Sequence, residues 1–385
     1  MRIAIFTDTF LPAINGVVTC VVNSAKELEK KGHEILIIAP KLKKADRYNL
    51  GKNIRVKLIN SVNAYFYDDF RFTIPSTFRL IRELRRFKAD IIHFHTPFTL
   101  GGEAIMCAKI MKKPLVGTFH TYISEPGYLK HIKLDNIKSI EKIAWKYSNF
   151  FYNRSNLVIS PSKATKEILK KHKIKKEIMI VKNGLDLSKF REVDEAQKKK
   201  IRLKYGINDK TVLFVGRVSY EKSIGLLIRS MQLVFKKMPD AKLLVVGDGP
   251  LFNELKSKYD GKNIIFTGSI QHNELIGSGL ISACSIFASM SKTENQPMTF
   301  LEAMAFGLPI VGVDKLGVPE LIDGNGFIAP ADDCKTFAKH IITLLKNKEF
   351  REKCGKESKR IIKDYSIDKT IDDLEKIYES LILKS

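Results

Sequence analysis

Hydrophobic positions along the chain come in short, nearly continuous runs, separated by stretches in which they recur every three or four residues. The runs at 2–6, 34–39, 54–59, 90–94 and 114–118 are rich in Val, Ile and Leu and end on turn residues. A run apolar on both faces is what a strand inside a parallel sheet needs, because helices cover it above and below. Between the first two runs, Val18, Val21, Val22, Ala25 and Leu28 keep helical spacing across Val17 to Lys31, and Gly32 stops that helix. Leu157 to Ser160 leads through Pro161 and Ser162 into another helix, and Met179 to Val181 ends at the turn signal Asn183-Gly184. The alternation then restarts with Thr211 to Val215, helix 222–237, Lys242 to Val246, helix 250–258, Ile264 to Phe266, Ser285 to Ala288, helix 297–306 and Pro309 to Val313.

Two rounds of strand-helix alternation predict an α/β protein of two Rossmann-like, doubly wound domains facing across a cleft. The expected boundary lies near 184–200, where Asn-Gly is followed by the polar run Asp194 to Lys200. This gives domains of 1–186 and 187–365, with the amphipathic segment 366–385 packing back on the first. A chain of 385 residues is long enough for two cores.

Composition changes this picture little. Hydrophobic residues make up 44% and charged residues 28%, the balance of a globular chain without disordered tracts. The first apolar run is too brief for a signal peptide, and the longest apolar region, 297–313, is broken by Glu302, so neither an export leader nor a spanning helix is expected. Five cysteines at 20, 107, 284, 334 and 354 show no paired spacing, which suggests neither a disulfide framework nor a zinc motif and fits a reducing cytoplasm.

Charge changes it more. The net charge is +24, and residues 1–186 hold 34 Lys and Arg against 16 Asp and Glu, whereas the remainder holds 32 against 26. The asymmetry points to an anionic partner for the first half, or to a lysine-rich proteome. No nucleic-acid motif or aromatic-basic platform accompanies the charge, so nucleic acid is not expected as the partner.

Chemistry should collect at the carboxyl ends of the strands, where an open parallel sheet leaves its crevice. After the first strand comes TDTFLPAINGV, in which Gly16 at a helix start would admit a phosphate close to backbone amides, or simply make the turn. It lacks the dinucleotide fingerprint GxGxxG. After the strand VLFV, Arg217 and Lys222 could neutralise a diphosphate by bidentate and point-charge contacts. His120 ends a first-half strand, where an imidazole can donate to a hydroxyl or stabilise developing charge. His93 and His95 also end a strand, and a core or wall role suits them better.

The most informative segment is Glu294 to Glu302, ENQPMTFLE. Pro297 suits a first helical turn, leaving amides at about Met298 and Thr299 as an anion site. One carboxylate could hold sugar hydroxyls and the other a ribose diol on either side of a diphosphate. Two acids at a helix start are alternatively caps, but Glu302 lies amid Leu301, Ala303 and Met304, where an unpaired carboxylate is costly.

Together these residues resemble glycosyltransferase family four, retaining enzymes of the GT-B fold that use nucleotide-diphosphate sugars, over essentially the whole chain. The resemblance implies that Glu294 contacts the donor sugar, that Glu302 holds the ribose, and that Arg217, Lys222 and Gly16 serve the diphosphate. It also implies that His120 sits against the donor sugar. Pro297 stands where the family often has glycine. A UDP-sugar is the expected donor, with no cofactor and no metal, since cations and helix amides do the work of a divalent ion. The family mechanism implies same-face attack by the acceptor hydroxyl, without a covalent nucleophile.

The stretches FTDTFLPAINGV and GTFHTYISEPGYLKHIK look like glycolipid-forming members such as glucosyl-diacylglycerol synthases. This implies a hexosyltransferase with a lipid acceptor at an anionic membrane surface, cytoplasmic and peripherally bound. In Ser76 to Lys88, Leu80, Ile81, Leu84 and Phe87 form one face and Arg79, Arg82, Arg85 and Arg86 the flanks. That pattern suits either a membrane-lying helix or one packed on its own sheet with a basic face outward. A soluble sugar or polysaccharide acceptor remains an alternative, as does a sugar-nucleotide epimerase on the same fold.

Overall fold

The structure, a computed structural model, describes all residues except 14, 42–47, 64–70, 121–137 and 385. The part of GTFHTYISEPGYLKHIK after His120 lies outside the described residues. The chain divides into two units, residues 1–184 with 367–385, and residues 185–366.

In the first unit, seven parallel strands form one sheet. They are β1 (Arg2–Phe6), β2 (Glu34–Pro40), β3 (Ile54–Ile59), β6 (Ile91–Phe94), β7 (Leu115–Thr118), β8 (Leu157–Ser160) and β9 (Glu177–Ile180), in the order β3-β2-β1-β6-β7-β8-β9. The short antiparallel pair β4 (Ser61–Asn63) and β5 (Arg71–Thr73), whose strands are too brief for periodicity to register, stands apart. Alternate residues of β1 go to opposite faces: Ala4 and Phe6 pack into one apolar cluster, and Ile3 and Ile5 into another. The buried clusters on both faces explain why these strands carry unbroken apolar runs.

Helix α1 (Gly16–Lys30) covers one face through Val17, Val18, Val21, Ala25 and Leu28. It ends as its sequence predicts, with Gly32 at φ +87° donating to Glu29 O at 2.8 Å. Helix α2 (Thr77–Phe87) buries Leu80, Ile81, Leu84 and Phe87 in the opposite cluster. Its start is held by buried Glu103 of α3 (Thr99–Met111), which accepts from Ser76 N at 2.7 Å and Thr77 Oγ1 at 2.6 Å. Helices α4 (Lys138–Tyr152) and α5 (Lys163–Lys171) flank the later strands.

The second unit repeats the design. Strands β10 (Thr211–Val215), β11 (Lys242–Val246), β12 (Ile264–Gly268), β13 (Ile286–Ala288), β14 (Ile310–Val313) and β15 (Gly326–Ala329) run parallel in the order β12-β11-β10-β13-β14-β15. The polar run at Asp194 is not a linker but opens helix α6 (Glu195–Tyr205). Asp194 caps it by accepting from Gln197 N at 2.7 Å, and Gly206 closes it at φ +64°. None of its residues is fully buried, so no hydrophobic pattern announced it. Helices α7 (Ile224–Lys237), α8 (Phe252–Tyr259), α9 (His272–Gly277), α10 (Leu280–Ala283), α11 (Met298–Ala305), α12 (Cys334–Lys346) and α13 (Lys348–Ile361) complete the unit.

The last helix, α14 (Ile367–Ile382), belongs to the first unit, where Ile371, Leu374, Ile377 and Tyr378 join the cluster around α1. Lys31 pairs with Asp372 at 2.6 Å and with Glu375, and His33 Nε2 meets Glu375 at 2.8 Å. No helix among the described residues is long and apolar enough to cross a membrane.

Candidate active site

Both sheets reverse strand order once, and the loops at the reversal are where open parallel sheets expose backbone to ligands. In the second unit the reversal lies between β10 and β13, which places Gly216-Arg217 after one strand and the loop from Ser289 to Pro297 after the other. The β10 and β11 loops close on each other: Val218 N donates to Asp248 O at 2.9 Å, and a Cβ on Gly247 would stand 2.0 Å from Gly216 O. With φ +139° as well, Gly247 can only be glycine.

Helix α11 carries the centre of the candidate site. The helix begins at Met298, one position later than expected, so Pro297 is its N-cap rather than its first residue, and among the described residues no side chain caps this end. Its opening residues, Met298 and Thr299, are half-buried. The first amides of a helix without a side-chain cap are donors that an anion can meet. Glu294 lies in the loop before the helix, and Lys222 Nζ donates to its Oε1 at 2.6 Å. The loop is pinned from below, where Gly317 N donates to Glu294 O at 2.9 Å.

Glu302, one turn into α11, is a buried carboxylate with 5% of its side chain exposed. It does not cap the helix: its Oε1 meets His272 Nε2 at 2.8 Å, from the start of α9 just beyond β12. That hydrogen bond raises the pKa of His272 against the opposing effect of burial. The second unit thus brings Lys222, Glu294, Met298, Thr299 and Glu302 to one set of loops, with half-buried Arg217 on the β10 loop. Two participants escaped the sequence reading, His272 and Gly317. A histidine directly after a strand and opening a helix was a usable signal for the first. Nothing local marked the second.

In the first unit the reversal lies between β1 and β6. Asp8, just past β1, is fully buried and binds across the reversal: it accepts from Thr96 Oγ1 at 2.7 Å, Thr99 Oγ1 at 2.8 Å and Leu100 N at 2.8 Å. Burial pushes its carboxyl up to about 6 even against these hydrogen bonds. This acid, unmarked in the sequence reading, ties the start of α3 to β1.

Gly16 is the first residue of α1 and exposed, with φ outside the left-handed region, and among the described residues nothing lies within 4 Å of where a Cβ would stand. Neither the backbone nor the packing of the turn requires glycine there. His120 is half-buried, and burial holds its imidazole down to about 4. Its Nε2 lies 2.9 Å from His95 Nδ1. His93 is a buried core residue, one of the two roles expected for it, with Nδ1 on Tyr378 Oη at 2.7 Å and Nε2 on Thr118 Oγ1 at 2.6 Å.

Arg79, Arg82, Arg85 and Arg86 are exposed on α2, while the apolar face of that helix is internal. Of the two readings of this segment, the structure supports the helix packed on its own sheet with a basic face outward. Phe78, 88% exposed, stands among these arginines at the start of the helix.

Comparison with known proteins agrees with this architecture. Residues 14–189 match the family described as Glycosyltransferase Family 4, and residues 197–361 match Glycosyl transferases group 1. An alpha-monoglucosyldiacylglycerol synthase of Streptococcus pneumoniae is 33% identical, over 81% of this chain and 70% of that protein. The protein of the same name from Acholeplasma laidlawii is 30% identical, over 100% of this chain and 98% of its own length. The crystal structure of HepE from Anabaena in complex with UDP shares the fold, with a TM-score of 0.76 at 19% identity over 99% of this chain and 100% of that one. The chain belongs to glycosyltransferase family 4 and is a glycosyltransferase of the GT-B fold.

Proposed function

We propose that this enzyme transfers a hexose, with retention of configuration, from a UDP-sugar to the hydroxyl of a diacylglycerol-type membrane lipid. The observation that carries the donor half is the segment 294–302, in which two carboxylates, one paired with Lys222 and the other hydrogen-bonded to His272, lie on either side of a helix start without a side-chain cap. In the proposed complex the amides of Met298 and Thr299, with Arg217 and Lys222, bind the diphosphate, and Lys222 exchanges part of its contact with Glu294 for phosphate. Glu302 holds the ribose diol, accepting hydrogen bonds from its hydroxyls in place of the one it shares with His272. Glu294 and His120 hold the sugar, and Gly16 leaves room for phosphate.

The reaction breaks the bond between the sugar anomeric carbon and the β-phosphate oxygen, and forms one from that carbon to the acceptor oxygen on the same face. The acceptor proton leaves with the departing phosphate, whose negative charge the cations and helix amides stabilise. These groups concentrate positive charge where the leaving group develops negative charge, so no metal and no cofactor is assigned.

The lipid acceptor is supported by the names of the two synthases and by the basic, Phe78-bearing face of α2. On this reading the enzyme works at the cytoplasmic membrane surface as a peripheral protein. Purified enzyme, UDP-glucose and diacylglycerol in anionic mixed micelles should yield an α-glucolipid, identified by the anomeric proton coupling. A β-linked product overturns retention. Transfer to free sugars but not to diacylglycerol, with no sedimentation on anionic liposomes at low salt, overturns the lipid acceptor. UDP-sugar interconversion without an acceptor favours epimerase chemistry.

A further inference from the structure

One cluster in the first unit is not used by this scheme as chemistry of its own. Cys20 on α1, His95 after β6 and His120 after β7 each bring one potential metal-ligating atom to a common point, all within 4.8 Å of one another. The rings of His95 and His120 lie stacked, 16° from parallel. His93 is adjacent, with its ring 4.2 Å from that of His95, but both its nitrogens are committed to Tyr378 and Thr118. The set is therefore one thiol and two imidazoles.

The geometry is close to that of a cation site. Tetrahedral zinc, with bonds of about 2.0–2.3 Å to nitrogen and sulfur, holds its ligand atoms about 3.3–3.6 Å apart. The nitrogens of His95 and His120, 2.9 Å apart in their mutual hydrogen bond, need to part slightly, and the sulfur needs to draw in by at most about 1.2 Å. Both histidines ligate through a neutral ring nitrogen and Cys20 through its thiolate, so binding releases the thiol proton. A donor set of two nitrogens and one sulfur selects a borderline-soft ion over Mg²⁺ or Ca²⁺.

We propose that Cys20, His95 and His120 form an inhibitory site for a zinc-like divalent cation, with a fourth position left to water. Bound metal occupies the His120 ring nitrogen and withdraws that residue from the donor sugar, so occupancy and turnover exclude each other. The inhibitory half rests on the role proposed above for His120, while the binding half rests on the cluster alone.

Metal-stripped, reduced protein titrated with Co²⁺ should take up one equivalent with tetrahedral d–d bands and a thiolate-to-cobalt charge-transfer band, displaced by Zn²⁺. Cys20→Ser should lose the charge-transfer band and weaken metal binding by about 10-fold or more, with an unchanged thermal midpoint; Cys20→Ala replaces it if serine misfolds. Zinc at the concentration that saturates the cobalt site should inhibit sugar transfer reversibly, and Cys20→Ser should be active and resist that inhibition. Absence of the charge-transfer band, or its persistence in both Cys20 variants, overturns the site. A saturated site with undiminished transfer overturns the inhibition. If the protein transfers no sugar under any condition, the functional proposal fails while the spectroscopic result still decides the metal site.

Discussion

Gly317→Ala tests whether the position of Glu294 matters for catalysis. Gly317 does not adopt a left-handed φ, so alanine is allowed by its backbone. Space forbids it: the new Cβ would stand 1.8 Å from Asn295 O and 3.4 Å from Glu294 O. Ordinary contact begins at 3.4 Å, so the two backbones must part by about 1.6 Å, and the atoms that give way belong to the segment that presents Glu294. A shift of that size breaks the 2.6 Å contact between Lys222 and Glu294 and displaces the carboxylate from the sugar. Misplacement by about an ångström costs roughly 100-fold in rate, equivalent to about 2.7 kcal/mol of barrier. Overpacking should cost a further ~1–3 kcal/mol of stability, visible as a lowered thermal midpoint. Steady-state glucolipid synthesis with varied UDP-glucose provides the rate, and circular dichroism shows whether the fold survives. Gly261→Ala is the control, since among the described residues nothing lies within 4 Å of its Cβ position. A folded Gly317→Ala enzyme with kcat within threefold of wild type would refute the positional argument.

Four further outcomes are expected. Glu302→Gln keeps shape but loses charge-assisted hydrogen bonds worth about 1.5–3 kcal/mol, so kcat/KM for the donor should fall roughly 10- to 100-fold, mainly through KM; an unaltered donor KM removes the ribose role. In that same variant His272 should titrate lower than in wild type, because Glu302 raises it; the stability lent by this raised value is complete below the ordinary histidine range and disappears as pH climbs through the folded value, and an unmoved imidazole resonance would show the pair to be weak. Asp8 should titrate near 6 rather than 3.8 in carboxyl carbon NMR: folding favours its protonated form, so its stabilising contribution is full below 3.8 and lost as pH rises through about 6, and a midpoint near 4 contradicts the burial argument. Gly16→Ala should gain about 0.5–1 kcal/mol of helix stability while raising donor KM several-fold, whereas a stabilised variant with normal KM means that no phosphate approaches there.

What the chain reveals before folding depends on whether a feature is carried by neighbours in sequence or by neighbours in space. The parallel strands are local: a run such as EILIIAP is apolar because both of its faces are covered, and it reads as a strand by itself. Helix α6 is equally local but was obscured, since its signals are Asp194 and Gly206 at the ends and not an apolar stripe. The carboxylates Glu294 and Glu302 share one segment, and their spacing shows. Their partners do not, because Lys222 and His272 arrive from loops 72 and 30 residues away, and Gly317 acts through a backbone contact that no side chain advertises.

The same distinction explains why the donor half of the reaction reads more clearly than the acceptor half. A nucleotide diphosphate imposes a fixed set of needs: amides and cations for phosphate, and a carboxylate for a diol. Those needs select residue types at strand ends, where a pattern can be recognised. A lipid surface imposes only charge and exposure, which many sequences satisfy for other reasons. Helix α2 is the instructive case. Its apolar stripe, equally suited on paper to a bilayer, is consumed by the core through Leu80, Ile81, Leu84 and Phe87. In the proposed membrane contact, the side that remains is the other one, four arginines and Phe78, so the attraction expected there is mainly electrostatic and weakens as salt shortens the Debye length.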